Sequence, residues 1–456
     1  MLKIGQKIKI TVEKIITGGD GLGHYRCFVV MVPYSAPADV LLVEITSVKR
    51  NFARARIISV ISPSPYRIIP PCPSHFSLSC LAGRQDTSHR LYCGGCNFQM
   101  MGYSNQIKEK ASILKDFFAP VKPETIPAAD CFRYRNKIQM PLGGTAGKVM
   151  MGFYHPQSHK IVDLNNCILQ SETANMIIAE LRNLVNEYKI QPYNEDRHSG
   201  ILRHIILRQS AAFGKFMLIF VSKTDFIRPV NEIIKKVVKK FPQITSIHQN
   251  INPRETNVIL GDRTVKLYGE KTIKEKIGDV IFEISPGSFF QVNTAQAEKL
   301  YNVIKDYAEL RGNENVIDVY CGSGGISLYL ARHCKNIVGI EEAGSAVFDA
   351  RRNSTLNGIK NASFIRGSAD YALSELEISK DSIVILDPPR IGCSQAVINS
   401  LMKHLPEKII YTSCNPATLA RDIKLMSKTY RIAGISMVDI FPQTAHIECV
   451  AKLIRC

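Results

Sequence analysis

Cys414 occupies the position in this sequence that is best suited to a reactive thiol. The β-branched run at residues 409–412 favours a buried strand, and Asn415 followed by Pro416 favours a helix start, because asparagine caps helices and proline suits the first helical position. The positive end of a helix dipole stabilises a thiolate relative to a thiol. A catalytic nucleophile and a buried structural cysteine both fit this stretch alone, since free cysteine is among the most buried residue types.

Two acidic residues stand at predicted strand ends in the same part of the chain. Asp387 follows a buried strand over residues 381–386 and begins the stiff loop Asp387-Pro388-Pro389-Arg390, which loses little entropy on binding a ligand. Glu448 begins a predicted strand that can join the same sheet. A ligand site at the sheet edge is one interpretation. There are two alternatives: the prolines serve only to end the strand in a turn, and Glu448 is a solvated residue at a strand edge.

Residues 315–342 predict a nucleoside site. They follow the pattern of a strand, a glycine-rich turn, a helix and a second strand, which predicts a parallel sheet with helices on both faces. Ser327 stands where the dinucleotide fingerprint needs its third glycine, so that motif is incomplete. Glu341 ends the second strand, where a carboxylate can accept hydrogen bonds from both ribose hydroxyls of an adenosine; an ordinary capping carboxylate is the alternative.

The cysteines suggest a metal site. The chain has 13 of them, and several cluster in one region: Cys72, Cys80, Cys93 and Cys96, with Cys167 further along. Two thiolates separated by two glycines can converge on one metal. Zinc and an iron–sulfur cluster both satisfy this spacing, and reduced cysteines without a metal are the alternative.

The charge balance points to a polyanionic partner. The chain has 58 Lys and Arg against 40 Asp and Glu, a formal net charge of +18 that is not confined to a tail, which favours a nucleic-acid surface over a merely basic protein. Short predicted strands over residues 1–62 favour a small barrel of the oligonucleotide-binding class. The pentapeptide Arg133-Tyr134-Arg135-Asn136-Lys137 suits phosphate contacts and base stacking, and a solvated strand face fits it equally well.

Length and hydropathy bound the remaining possibilities. A chain of 456 residues accommodates two to four domains at roughly 100–200 residues each. No window approaches the roughly 18 consecutive apolar residues of a membrane span, and the first residues lack an apolar signal-peptide core. We therefore expect a cytoplasmic protein with no membrane association, and nothing in the sequence indicates an obligate protein partner.

Together these motifs resemble the RNA uracil-5-methyltransferase family, specifically its iron–sulfur branch that methylates 23S ribosomal RNA, over nearly the whole chain. The most specific segments carry the acidic loop, the reactive cysteine and the terminal acid: Asp387-Pro388-Pro389-Arg390 with Gly392-Cys393, Ser413-Cys414-Asn415-Pro416 and His446-Ile447-Glu448. Others are similar to the family's TRAM barrel, cluster and methyl-donor segments: Gly18-Gly19-Asp20-Gly21-Leu22-Gly23, Lys49-Arg50-Asn51-Phe52-Ala53-Arg54-Ala55, Cys93-Gly94-Gly95-Cys96, Ser288-Phe289-Phe290-Gln291-Val292-Asn293 and Asp318-Val319-Tyr320-Cys321-Gly322.

The resemblance implies an α/β protein with three domains. These are a TRAM-like, OB-like RNA-binding β-barrel over residues 1–62, a central α+β domain with a 4Fe-4S cluster over residues 63–285, and a Rossmann-like S-adenosylmethionine-dependent methyltransferase domain over residues 286–456. The implied cluster ligands are Cys72, Cys93, Cys96 and Cys167. The implied cofactor-binding residues are Gln291, Tyr320, Gly325, Glu341, Ser368 and Asp387.

Two departures from the family pattern bear on these assignments. The first two cluster ligands are usually close together, whereas in this chain a long insert brings the additional Cys80, so either Cys80 or Cys72 is the first ligand; we expect Cys72. Gly325 stands where the family commonly has an asparagine, which removes one side-chain contact to the cofactor.

The implied reaction is methylation of uracil C5 in RNA. Uracil C5 is too poor a nucleophile to take a methyl group directly, so Cys414 adds to C6 first, and Glu448 removes the C5 proton as general base. The target uridine must leave its stack, which makes an aromatic side chain such as Phe290 useful beside the pocket. We expect 23S ribosomal RNA as the substrate; the same reaction on transfer RNA and a non-catalytic ribosome-assembly protein are the alternatives.

Overall fold

The computed structural model describes residues 2–76 and 91–456, so the predicted alternative ligand Cys80 lies outside the described residues. The described chain divides into two compact units. The first comprises Met1–Pro120, Gly152–Cys167 and Phe441–Ile447, and the second comprises Val121–Met151, Ile168–Ile440 and Glu448–Cys456. Within the described residues, no helix is both long and apolar enough to cross a membrane.

Helices and strands alternate over residues 294–426, and runs of consecutive strands make up much of the rest of the described chain. The strands are β1 (Lys7–Thr11), β2 (Lys14–Ile15), β3 (Gly21–Tyr25), β4 (Phe28–Val32), β5 (Val40–Val48), β6 (Phe52–Ser62), β7 (Glu124–Ile126), β8 (Lys137–Thr145), β9 (Lys148–Tyr154), β10 (Ile161–Asp163), β11 (Leu202–Gln209), β12 (Phe216–Ser222), β13 (Ile244–Ile251), β14 (Arg263–Gly269), β15 (Ile273–Ile277), β16 (Val280–Ile284), β17 (Asn315–Val319), β18 (Asn336–Glu341), β19 (Ala362–Arg366), β20 (Ile383–Leu386), β21 (Lys408–Ser413), β22 (Tyr430–Val438) and β23 (Glu448–Arg455). The helices are α1 (Tyr103–Phe118), α2 (Glu172–Glu187), α3 (Val230–Lys240), α4 (Thr294–Ala308), α5 (Gly325–Leu330), α6 (Gly344–Leu356), α7 (Ala369–Glu375), α8 (Gln395–His404) and α9 (Pro416–Met426).

The first unit begins with a curled sheet in the order β1-β5-β6-β4-β3-β2, in which β4 and β6 are parallel. Alternating apolar residues of these strands fill its interior, among them Ile8, Val30, Leu41 and Ile45, as expected when one face of each strand is buried. This confirms the predicted small N-terminal β-barrel. Strand β3 (Gly21–Tyr25) begins within the glycine-rich segment at residues 18–23.

The remainder of the first unit packs the cysteine segment against the chain near residue 443. Gln106 of α1 donates to the side chain of Gln443 at 3.0 Å, and Asn97 accepts a hydrogen bond from the amide of Ala445 at 2.8 Å. Asn97 also donates to the carbonyl of Gly18 at 3.2 Å. A side chain at Gly19 would meet the Ala445 Cβ at 2.5 Å. This close approach requires glycine.

The second unit contains two large sheets. One runs in the order β9-β8-β11-β12-β13-β14, with β12 and β13 parallel and its other pairs antiparallel. The other runs in the order β19-β18-β17-β20-β21-β23-β22-β7. Its strands from β19 to β21 are parallel, which confirms the predicted Rossmann-like arrangement.

The predicted parallel sheet continues into an antiparallel part that its pattern did not indicate. β23 pairs antiparallel with both β21 and β22. A β-α-β pattern fixes the direction of the strands it connects, whereas β22 and β23 form an antiparallel pair without an intervening helix. This reversal has a functional consequence, because it brings the first residue of β23 to the edge where the parallel strands end.

Candidate active site

The carboxyl edge of the C-terminal sheet gathers the predicted catalytic and cofactor-binding residues. Tyr320, Glu341, Ser368 and Asp387 stand at or just after the ends of β17, β18, β19 and β20, and Cys414 follows β21. Because β23 runs the other way, its first residue, Glu448, lies at the same edge. Cys449 is the direct partner of Ser413 in the sheet. Ligands of open α/β sheets bind at this edge.

Cys414 lies directly before the capped start of α9. Asn415 is the N-cap and accepts a hydrogen bond from the Ala417 amide at 3.2 Å. Burial raises the pKa of the Cys414 thiol, as do the nearby carboxyls of Glu448 and Asp387, while Arg390 lowers it. Desolvation and the two carboxyl groups thus act against the thiolate that the start of α9 favours.

Of the two acids near Cys414, Glu448 is buried and Asp387 is half-buried. Burial raises the pKa of Asp387 to about 7. Burial also raises the pKa of Glu448 well above its usual range, with a further increase from Asp387, while Arg390 opposes it. Clustered titratable groups with strongly perturbed pKa values are typical of catalytic sites. The alternative of a solvated strand-edge glutamate does not apply, since Glu448 is buried.

A buried network that the sequence did not indicate holds the acidic loop in place. Asp422 of α9 accepts hydrogen bonds from the Tyr411 hydroxyl at 2.6 Å and from the Cys393 amide at 2.9 Å, and it pairs with Arg421 at 2.7 Å. The carbonyl of Arg390 also accepts a bond from the Asn415 side chain at 3.1 Å. The loop that carries Asp387 is thus fastened to the helix that follows Cys414.

The glycine-rich turn is organised around Glu341. Its carboxylate accepts hydrogen bonds from the amide of Gly322 at 3.1 Å and from the amide of Ala343 at 2.7 Å. Tyr320 has a φ of 68° and Gly324 a φ of 81°, so the turn uses left-handed backbone that favours glycine. Glu341 therefore braces the turn, and this role is compatible with a ribose contact because a carboxylate has several acceptor sites.

Ser368 has a structural role that the sequence did not specify. It is the N-cap of α7, and its hydroxyl accepts a hydrogen bond from the Tyr371 amide at 3.4 Å. Beneath the turn, Asp318 is fully buried and accepts a bond from the Ser327 hydroxyl at 2.5 Å. Burial raises the pKa of Asp318 to about 7 despite this bond.

Gly325 is constrained by a buried neighbour. A Cβ at this position would meet the Tyr301 hydroxyl at 2.4 Å, and Tyr301 is 4% exposed. We expect Gly325→Asn to lower stability by about 1–3 kcal/mol, as overpacking does, rather than to supply the side-chain contact that the family commonly has. Thermal unfolding measures the loss, and a Tyr301→Phe background should recover part of it. Full stability of Gly325→Asn alone would contradict the steric interpretation.

Gln291 belongs to a segment that several backbone contacts fix. The side chain of Asn136 donates to the Gln291 carbonyl at 3.0 Å, and the Asn136 amide donates to the Val292 carbonyl at 2.9 Å. Phe290, expected beside the substrate pocket, is instead 7% exposed and packs on Phe282 with ring centroids 5.5 Å apart. Phe289 is 71% exposed, so it is the aromatic ring of this segment that a displaced base can reach.

The four expected cluster ligands belong to the first unit. Burial raises the pKa values of Cys93 and Cys96 to about 12, and Cys72 and Cys167 raise both further, so the four thiols lie within electrostatic reach of one another. The Gly95 amide donates to the Cys93 sulfur at 3.3 Å. Among the described residues, no group of three His, Cys, Asp or Glu side chains adopts metal-ligand geometry.

These cysteines fit a metal centre in their chemistry. Without a metal, thiols at this burial are uncharged, and the thiolates that form when they ionise repel one another. A bound metal requires thiolates and stabilises them. A backbone amide directed at a sulfur is a usual feature of iron–sulfur sites. The donor set is therefore suited to zinc or to an iron–sulfur cluster.

Comparisons with known proteins agree with this geometry. Residues 253–456 match the family described as tRNA (Uracil-5-)-methyltransferase, and residues 2–58 match the TRAM domain. A protein of Bacillus cereus described as an uncharacterized RNA methyltransferase is 36% identical over 460 residues, which cover 98% of this chain and 96% of that protein. A similarly described protein of Staphylococcus aureus is 34% identical, covering 99% and 97%. The crystal structure of Pyrococcus abyssi tRNA (uracil-54, C5)-methyltransferase with S-adenosyl-L-homocysteine has a TM-score of 0.77 and 29% identity, covering 98% of this chain and 100% of that chain.

Proposed function

Since the chain belongs to the RNA uracil-5-methyltransferase family, we propose that it methylates C5 of a uridine in 23S ribosomal RNA through a covalent adduct between Cys414 and uracil C6. Members of this family are S-adenosylmethionine-dependent RNA methyltransferases, and this chain is one. The observation that supports the covalent route is the clustering of Cys414, Glu448, Asp387 and Arg390 at one sheet edge, where their charges perturb one another.

Each residue at this edge has a separate role in the proposed reaction. Cys414 Sγ bonds to C6 of the uracil, which moves electron density to C5 and makes C5 nucleophilic. S-adenosylmethionine, when bound, supplies the electrophilic methyl group. Glu448 then takes the proton from C5, the C5=C6 bond reforms, and the C6–S bond breaks to release the thiolate.

The two charged neighbours, Arg390 and Asp387, act in opposite directions on the reactive groups. Arg390 favours the thiolate of Cys414 and the carboxylate of Glu448, the two forms that the reaction needs. Asp387 disfavours both. A cationic methyl donor beside Asp387 would offset that effect, so donor binding would help to activate the site.

The donor would be held along the same edge. Tyr320, Glu341 and Asp387 lie at the ends of adjacent strands, Gly325 is the first residue of α5, and Gln291 lies on the fixed segment before α4. Ser368 would contribute through its place at the start of α7, although its hydroxyl already caps that helix.

For the four cysteines we propose a 4Fe-4S cluster bound by Cys72, Cys93, Cys96 and Cys167. We expect anaerobically purified protein to contain about four iron and four sulfide per chain, and Cys96→Ala to lose most of both, because a thiolate ligand is removed. Iron and sulfide analysis measures this, with Cys131→Ala as the control at a half-buried cysteine of the second unit. Zinc without iron would refute the cluster. Comparing Cys72→Ala with Cys80→Ala identifies the first ligand.

Transfer RNA is the second candidate substrate, because the Pyrococcus abyssi structure is of an enzyme named for uracil 54 of tRNA. Mapping 5-methyluridine in both RNAs from cells that lack the protein distinguishes the two. Loss of a modification from 23S ribosomal RNA alone supports our proposal, loss from tRNA alone supports the second candidate, and no loss from either overturns both. The three-domain division and the cytoplasmic location remain predictions.

A further inference from the structure

A compact cluster of cations lies beside the segment that carries Gln291. Lys137 of β8 and Arg208 of β11 are direct cross-strand partners. Arg135 precedes Lys137 by two residues, and its guanidinium donates to the Lys137 carbonyl at 3.0 Å. We call Arg135, Lys137 and Arg208 the cation cluster.

The cluster carries more positive charge than its surroundings balance. Arg208 donates to the Ser288 carbonyl, and the carboxylate of Asp349 acts on it through space. Asp349 itself forms an ion pair with Arg352 at 2.8 Å and accepts hydrogen bonds from two serine hydroxyls. Among the described residues, no carboxylate forms an ion pair with any member of the cluster, and the buried Nε of Arg208 has no hydrogen-bond partner.

Lys137 is the member whose charge is least balanced. Burial, together with the neighbouring Arg208 and Arg135, lowers its pKa to about 7, and no acidic group acts in the opposite direction. Lys137 is half-buried, so its ammonium group loses part of its hydration without a carboxylate to compensate for that loss. An anion that enters at Lys137 would remove this cost, and the gain would appear as binding affinity.

The cation cluster lies beside the segment that contains Gln291 and Phe289. Asn136, between Arg135 and Lys137, donates to the carbonyl of Gln291. The neighbouring Arg133 forms an exposed ion pair with Glu172 at 2.7 Å and is already neutralised. The cluster therefore adjoins the segment that contains the exposed ring of Phe289.

We infer that Lys137, supported by Arg135 and Arg208, binds a backbone phosphate of the substrate RNA next to the target uridine. This inference rests on the proposed function, because it requires RNA as the substrate. Phosphate contacts fix the position of a nucleic acid without reading its sequence, so the cluster would hold the strand while the displaced base enters the site. It corresponds to the phosphate-contact interpretation of the pentapeptide, at its Lys137 end.

The test is the salt dependence of RNA affinity for Lys137→Gln, measured with in vitro transcribed 23S ribosomal RNA and, in parallel, transcribed tRNA. Losing one phosphate contact should weaken binding roughly 10-fold and should reduce the slope of log affinity against log salt by about 0.7. Lys137→Arg keeps the charge and should keep the slope. Lys235→Gln is the matched control, since Lys235 is already paired with Glu232 at 2.9 Å on the surface of α3.

Other outcomes separate the inference from its alternatives. Lys137→Gln should raise the thermal midpoint of the free protein, because it relieves repulsion among neighbouring cations, whereas the loss of a structural lysine would lower it. An unchanged salt slope overturns the inference, and so does weakened S-adenosylmethionine binding with an unchanged slope, which would assign the anion to the donor's carboxylate. If Lys137→Gln does not fold, Arg135→Gln tests the same slope. Failure of the unchanged protein to bind either RNA would instead refute the proposed function.

Discussion

Replacing Cys414 with alanine should abolish methyl transfer while RNA binding persists. Without the thiolate, C6 receives no nucleophile and C5 never becomes reactive, so we expect a rate loss of about 10⁴-fold or more, as for other catalytic nucleophiles. Cys414 is partly exposed and lies between the end of β21 and Asn415, the N-cap of α9. Since its side chain is part of neither element, the fold should be preserved. Transfer of labelled methyl to RNA measures the loss, and a filter-binding assay measures the affinity.

Two further measurements make this result specific. Cys456→Ser alters an exposed cysteine in the same unit and should behave as the unchanged protein. With S-adenosylmethionine present, RNA containing 5-fluorouridine should form a stable covalent complex with the unchanged protein, because after methylation the fluorine at C5 cannot leave as a proton does, and it should form none with Cys414→Ala. Methylation that survives Cys414→Ala would overturn the covalent mechanism, and undetectable methylation by the unchanged protein on any RNA would favour a non-catalytic role.

Replacing Glu448 with glutamine should stall the reaction after the adduct has formed. Glutamine retains the size of the buried side chain but cannot accept the C5 proton, so elimination of Cys414 slows by about 10²- to 10⁴-fold, the usual contribution of a general base. We expect Glu448→Gln to accumulate a covalent complex with ordinary uridine RNA in the presence of S-adenosylmethionine. A denaturing gel detects the complex, and release of tritium from C5-labelled uridine should fall in parallel.

The control for this experiment is Glu407→Gln, which changes an exposed carboxylate that pairs with Lys408 at 3.5 Å. It should neither trap RNA nor reduce tritium release. Loss of both adduct formation and tritium release in Glu448→Gln would show that this residue acts earlier, for example by positioning the base. Normal tritium release would mean that another group removes the proton.

Local patterns predicted many of the elements that build this site. Strands β20 and β21 overlap the strands expected over residues 381–386 and 409–412, and β17, α5 and β18 follow the pattern expected over residues 315–342, since buried strands form continuous apolar runs between turn residues. The glycine-rich turn and the start of α9 could also be predicted from the local sequence, because left-handed backbone, helix capping and proline at a helix start depend on a few adjacent residues.

The direction of β23 could not be predicted in this way. The apolar pattern of a strand does not show which strand it pairs with, or whether the pair is parallel or antiparallel. Only the antiparallel pairing of β21 with β23 places Glu448 beside Cys414. The network at Asp422 and the burial that distinguishes Phe290 from Phe289 likewise depend on residues far apart in the chain.

The sequence by itself thus determined the residue types of the site, namely a cysteine before a helix start, two acids at strand ends and four clustered thiols, together with the family that they resemble. The tertiary structure decided their electrostatic state. Burial and mutual proximity raise the pKa values of Cys414, Asp387 and Glu448, and cross-strand pairing brings Lys137 next to Arg208. Both effects depend on distances and desolvation, which exist only once the chain has folded.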